Sequence, residues 1–148
     1  MKKSFLNQSN PLLTVMLQCK TPETAIGKIR NANCLGADAY GLQVESLMSE
    51  FHNPDTYKRI FAEMKDKPCY VTNYRYSYNQ KLTDDELADG IITLAESGAT
   101  LCDVMGDIFC KHPEELTDNE EAIQKQMKLI DTLHSNFTFF HLLSLPVI

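Results

Sequence analysis

The chain has 148 residues, of which 43% are apolar and 23% charged, the composition of an ordinary globular domain rather than a disordered, collagen-like or disulfide-scaffold chain. Its net charge is −6, its pI is about 5.1, and only Arg30, Arg59 and Arg75 are arginine. No basic stripe is present, so neither nucleic acid nor an anionic membrane is expected as a partner. Five cysteines form an odd set without a CxxC pair, which points to reduced, packed thiols and a cytoplasmic setting. The lysines at the N-terminus precede no apolar stretch of signal-peptide length, and no window approaches the roughly 18 apolar residues of a membrane span.

Four units follow in chain order, each a short apolar run and then a helical pattern. The first strand is expected at Leu12–Leu17. Thr21 can cap the next helix, with Pro22 in its first turn, Ile26, Ile29 and Leu35 at helical spacing, and Gly36 as its left-handed stop. The second strand is expected at Ala37–Leu42, extended by Gln43 and Val44. A helix over Pro54–Lys65 follows, with Tyr57, Ile60, Phe61 and Met64 on one face.

The third strand is expected at Cys69–Asn73. Its helix opens on Thr83-Asp84-Asp85-Glu86, a capping box in which each side chain satisfies an orphan backbone N–H. Leu87, Ile91, Leu94 and Ala95 form the buried stripe, and Gly98 ends it. The fourth strand is expected at Thr100–Met105. Thr117–Glu120 offers a second capping box to a helix carrying Ile123, Met127, Ile130 and Leu133. The apolar run Phe137–Leu143 has the composition of a fifth strand. Alternation of strand and helix every 25–32 residues or so is the pattern of a parallel sheet. An open doubly wound sheet and a (β/α)8 barrel both fit. No GxGxxG follows the first strand, so the dinucleotide fingerprint is missing.

Gly36-Ala37-Asp38 opens strand two, Pro68 to Arg75 forms strand three and its end, and Gly98 to Val104 forms strand four. In order and spacing these residues resemble the N-terminal half of type I 3-dehydroquinate dehydratase, over roughly residues 10–135. The resemblance implies an α/β fold, the N-terminal half of a (β/α)8 barrel with four βα units. It also implies a cofactor-free lyase of the shikimate pathway, which forms a Schiff base between a lysine and a cyclic ketone. Arg75 matches the family's strand-three arginine and Asp103 its strand-four aspartate. Where the family carries glutamate, arginine and aspartate on strand two, this chain has Gly41, Gln43 and Glu45. The family's catalytic lysine and histidine belong to strands five and six, and no S-x-H motif stands near the end of this chain.

The resemblance thus implies Arg75 and Gln43 as substrate-binding residues, with Asp103, Asn79 and Thr72 as further candidates and no catalytic residue in the chain. The implied ligand is a small anionic or polyol molecule. For Arg75 the alternative is a structural arginine paired with a neighbouring acid. Asp103, Asp107, Cys110 and His112 match no tight metal template, and no metal is expected. Tyr70, Tyr74, Tyr76 and Tyr78 alternate with period two, as a ring-binding surface or as strand packing. The uncharged tail 137–148 after an amphipathic helix suggests truncation or a shifted reading frame within a single partial domain. Two other functions remain open: a non-catalytic half-barrel that dimerises or binds a partner through its open edges, and a barrel enzyme of changed substrate.

Overall fold

The computed structural model describes residues 3–5, 8–110 and 119–136. Strands β1 (Thr14–Leu17), β2 (Ala39–Gln43), β3 (Cys69–Thr72) and β4 (Leu101–Cys102) alternate with helices α1 (Pro22–Cys34), α2 (Pro54–Glu63), α3 (Asp84–Ser97) and α4 (Glu120–Asn136). The strands form one parallel sheet in the order β1-β2-β3-β4. A doubly wound sheet would reverse direction from an inner strand. Here each strand lies beside its predecessor, the order of half a (β/α)8 barrel.

The helix ends follow their local chemistry. Thr21 accepts a hydrogen bond from the Thr24 N–H, and Pro22 opens α1. Thr83 and Glu86 form the reciprocal capping box of α3. Gly36 and Gly98 stop α1 and α3 at φ of +83° and +117°, a region that costs glycine little. Helix α2 ends at Glu63, two residues before the expected Lys65, and β2 ends at Gln43 because Val44 already begins a 3-10 turn. Strand β4 is also shorter than its apolar run. After Cys102 the backbone keeps one ladder bond, from the Asp103 N–H to the Val71 carbonyl, and then turns away.

The helix after the fourth strand is described from its first turn onward, where Asn119 Oδ1 accepts from the Ala122 N–H and α4 runs from Glu120. Thr117, Asp118 and the expected fifth strand lie outside the described residues. The inward stripe of α4 is Ala122, Leu129 and Leu133, while Met127 is 48% exposed. The expected stripe is therefore turned by about one residue. Gln126 explains the turn, because its amide donates to the carbonyls of Met105 and Gly106 and draws that side inward. On α1, Ala25, Ile29 and Ala32 are buried and Leu35 is exposed.

Successive helices pack on one another, α1 on α2, α2 on α3 and α3 on α4, along one face of the sheet, as parallel crossovers of one hand require. Alternation along each strand sends Leu17, Leu42, Val71 and Cys102, which share one register, into the core beneath them. Tyr57, Ile60 and Phe61 of α2, Met64 at its C-terminal cap, and Ile91, Leu94 and Ala95 of α3 fill the other side of that layer. Met16, Gly41, Tyr70 and Leu101 occupy the next register and point to the opposite, open face. At the amino ends of the strands, Lys67 Nζ donates to Asn33 Oδ1 and the Ala37 carbonyl, fixing the end away from the site.

Buried amides join β3 to α3. Asn73 Nδ2 donates to the Leu87 carbonyl at 3.0 Å, and Asn79 Nδ2 donates to Asn73 Oδ1 at 2.8 Å. A Cβ at Gly90 would lie 2.5 Å from Asn73 Nδ2. Alanine normally stabilises a helix interior over glycine by up to about 1 kcal/mol. Gly90→Ala is expected to destabilise instead, by about 1 kcal/mol net, because it displaces Asn73 from two buried hydrogen bonds. Urea unfolding that shows the variant more stable than the parent would exclude this packing.

Candidate functional site

The carboxyl ends of β2, β3 and β4 bring together the polar side chains of the open face. Asp103 is buried, and its Oδ2 accepts the Tyr70 hydroxyl at 2.7 Å and also the Tyr74 hydroxyl. Burial first, and then the bond to Asp103, pushes the Tyr70 phenol up to about 12. The same causes push Tyr74 higher. Both phenols therefore keep their protons at neutral pH and act as donors, while Asp103 Oδ1 receives no hydrogen bond from the described residues. A cleft of about 320 Å3 opens here between Tyr74, Arg75 and the segment from Asp103 to Asp107.

Glu45 lies beside this group, 3% exposed. Both its carboxylate oxygens accept the Thr72 hydroxyl at 3.0 Å, and Oε2 also takes the Tyr74 N–H at 3.4 Å. Burial raises the Glu45 pKa; the Thr72 and Tyr74 bonds act against that rise, and the Asp103 charge adds to it. Because the folded value lies above the unfolded one, the native state binds more protons, and stability falls as pH rises. The fall begins near the ordinary glutamate value of about 4.3 and is complete above the raised value. Every tenfold by which folding tightens proton binding corresponds to about 1.4 kcal/mol lost across that window. Glu45→Gln, whose amide oxygen can still accept from Thr72, is expected to lose this slope and to gain on the parent between pH 4 and 7. Parallel thermal-stability curves for the two proteins would rule that out.

Gln43 and Thr72 share one register, with the Gln18 amide donating to Gln43 Oε1. Gln43, Thr72 and Asp103 therefore meet on one face, as their strand positions suggest. Asn79 does not join them, and Arg75 lines the same cleft as Asp103 with its guanidinium engaged by other acids. Tyr70, Thr72 and Tyr74 follow the two-residue period onto the open face, and Arg75 falls one step out of phase. Its Nε donates to Asp84 Oδ1 at 2.6 Å, and its terminal nitrogens donate to Asp107 Oδ2 and the Asp107 carbonyl at 2.9 and 2.7 Å. The guanidinium thus ties the loop after β4 to the start of α3, which is the structural alternative for this residue. Asn79 is fully buried with its Oδ1 unpartnered, and its amide supports Asn73.

Glu45, Tyr70 and Tyr74 complete the face. The period-two spacing signals the tyrosines, but nothing in one dimension shows that two of them converge on Asp103. No group of three metal-ligating side chains occurs among the described residues, and His112 lies outside them. The buried Cys102 and Cys19 thiols are raised by desolvation and remain protonated. No described helix is long and apolar enough to cross a membrane.

Comparison with solved structures agrees with the strand order. The chain is similar to 3-dehydroquinate dehydratase from Enterococcus faecalis, with a TM-score of 0.59 and 16% identity over 85% of this chain and 51% of that one. It is also similar to a protein assigned as a phosphonomutase from Burkholderia cenocepacia, with a TM-score of 0.54 and 13% identity over 88% of this chain and 53% of that one. The chain thus spans about half the length of these structures, and at such identities the likeness shows the fold alone: half of a (β/α)8 barrel. No family model and no curated protein matches the sequence.

Proposed function

We propose that this chain supplies the ligand-binding strands of a (β/α)8 enzyme of the type I 3-dehydroquinate dehydratase kind, a cofactor-free cytoplasmic lyase of the shikimate pathway. The observation that carries the reading is Asp103, held by two protonated tyrosines at the carboxyl end of the sheet, where barrel enzymes place their sites. Its second oxygen can accept from a ligand hydroxyl, and Gln43 and Thr72 add polar contacts on the same face. The described strand residues of that face include no lysine or histidine. Binding and orientation are the roles we assign to this half, and imine formation is not among them.

The test is an amide NMR titration of the full chain with 3-dehydroquinate, followed by borohydride. Expected are shifts at Tyr70, Tyr74 and Asp103, and no reduced covalent adduct. Shifts confined elsewhere would overturn the site, and a trapped lysine adduct would overturn the division of roles.

A second reading follows from the sheet edges. Strands β1 and β4 are the outer strands of the described sheet. A two-fold axis parallel to the strands would set β4 of one copy beside β1 of another and keep all eight strands parallel. Light scattering that finds only monomers at high concentration would dismiss this homodimer.

A further inference from the structure

Where β1, β2 and β3 run out into their following loops, a second cleft of about 420 Å3 lies between Gln18, Cys19, Lys20, Ser46, Ser77 and Tyr78. Its polar groups differ in kind from those around Asp103. Asp103 and Glu45 make that region acceptor-rich, whereas this cleft offers an ammonium and three hydroxyls. No described residue pairs with Lys20 Nζ or with the hydroxyls of Ser46, Ser77 and Tyr78. Two other cations of the site end are engaged: Arg75 holds Asp84 and Asp107, and Lys28 holds the Gln18 carbonyl.

Ser77 also adopts φ of +51°, a left-handed conformation that a non-glycine residue holds only at a cost. It opens the short 3-10 turn Ser77–Asn79, and the fully buried Asn79 anchors that turn. The strained residue is thus fixed at the cleft by its neighbour. Gln18 joins the two regions, because its side chain lines this cleft and donates to Gln43 on the open face.

We propose that the Lys20 cleft is an oxyanion subsite, taking the carboxylate or phosphate of a small ligand whose hydroxyl-bearing body lies toward Asp103. The subsite deepens the function proposed above and rests on that reading for the position of the ligand body. Lys20 supplies the charge, and the hydroxyls of Ser46, Ser77 and Tyr78 supply directional donors. The same division explains how a face with two carboxylates can accept an anionic molecule.

The experiment uses three probes on the full chain: inorganic phosphate, the cyclic polyol acid quinate, and the neutral polyol myo-inositol. Phosphate is expected to shift the amides of Lys20, Ser46, Ser77 and Tyr78. Quinate is expected to bind about tenfold more tightly than inositol. Lys20→Gln, a change at an exposed side chain, should erase that tenfold preference and leave inositol affinity and thermal stability unchanged. Stronger phosphate than quinate shifts at the cleft would identify a phosphate ester as the source, and the reverse a carboxylic acid. An unchanged quinate-to-inositol ratio in the variant, or no cleft response to phosphate, would overturn the subsite. Phosphate shifts at the cleft without any polyol response at Asp103 would overturn the ligand-body reading and leave the subsite standing.

Discussion

Replacing Arg75 by methionine is expected to cost about 2 kcal/mol of stability, with its largest local effect in the loop that follows β4. The substitution removes donors to Asp84 and Asp107 together and leaves two part-buried carboxylates without their cation. Removing one partner of a fully buried ion pair costs about 3–5 kcal/mol. The Arg75 side chain is 32% exposed, and solvent screening reduces the figure. Hydrogen exchange should quicken at Phe109, whose N–H donates to Asp84 Oδ2. Arg75→Lys should recover less than half of the loss, since one ammonium cannot reproduce a planar fork aimed at two acids. If Arg75 were instead the ligand's anion holder, the methionine variant would keep its melting temperature and lose quinate affinity. That outcome would return the residue to the role the family resemblance gives it.

Asp103→Ala is expected to lose about 2–3 kcal/mol and to abolish polyol binding. Two part-buried phenol hydroxyls lose a shared acceptor, each at about 1–3 kcal/mol before water enters the space. Ultraviolet titration of the tyrosines gives a more direct measurement. The Tyr70 phenol, pushed up to about 12 in the parent, should titrate lower in the variant, because the bond and charge of Asp103 are gone and the site is wetter. Burial still acts on it, so a full return to the ordinary value near 10 is not expected. Asp103→Asn keeps an acceptor and should retain most of the stability. An Asp103→Ala titration that overlays the parent would mean that the tyrosine clamp does not exist in solution.

The fold was largely legible in one dimension, and the reason lies in particular residues. Thr21, Thr83, Gly36 and Gly98 act within one helical turn of themselves, so their roles follow from local spacing alone. Leu42 and Val71 are apolar because their strands are covered, and apolar runs are what sequence patterns detect. Arg75 is different. Its partners lie 9 and 32 residues away, on elements whose approach only packing decides. The resemblance aligned it with a binding arginine, and it does line the cleft beside Asp103, but its pairing with two acids could not be read from spacing. Glu45 is similar: a glutamate after a strand reads as solvated until Thr72 and Tyr74 close over it. The turn of α4 was hidden because a polar side chain, Gln126, faces inward to meet two carbonyls.

The strand order bears on how the chain assembles. Register partners are 25 residues apart between Thr14 and Ala39, 29 between Tyr40 and Cys69, and 31 between Tyr70 and Leu101. Every ladder thus closes a loop of similar, modest length, and none waits for a strand made much later. Loop-closure entropy grows only slowly with length, so the successive pairings face nearly equal barriers. A ribosome delivers the N-terminus first, and each βα unit emerges onto an edge that its predecessor has already formed. Synthesis and folding can therefore advance in step along the chain, with β1 and β2 as the template for the rest.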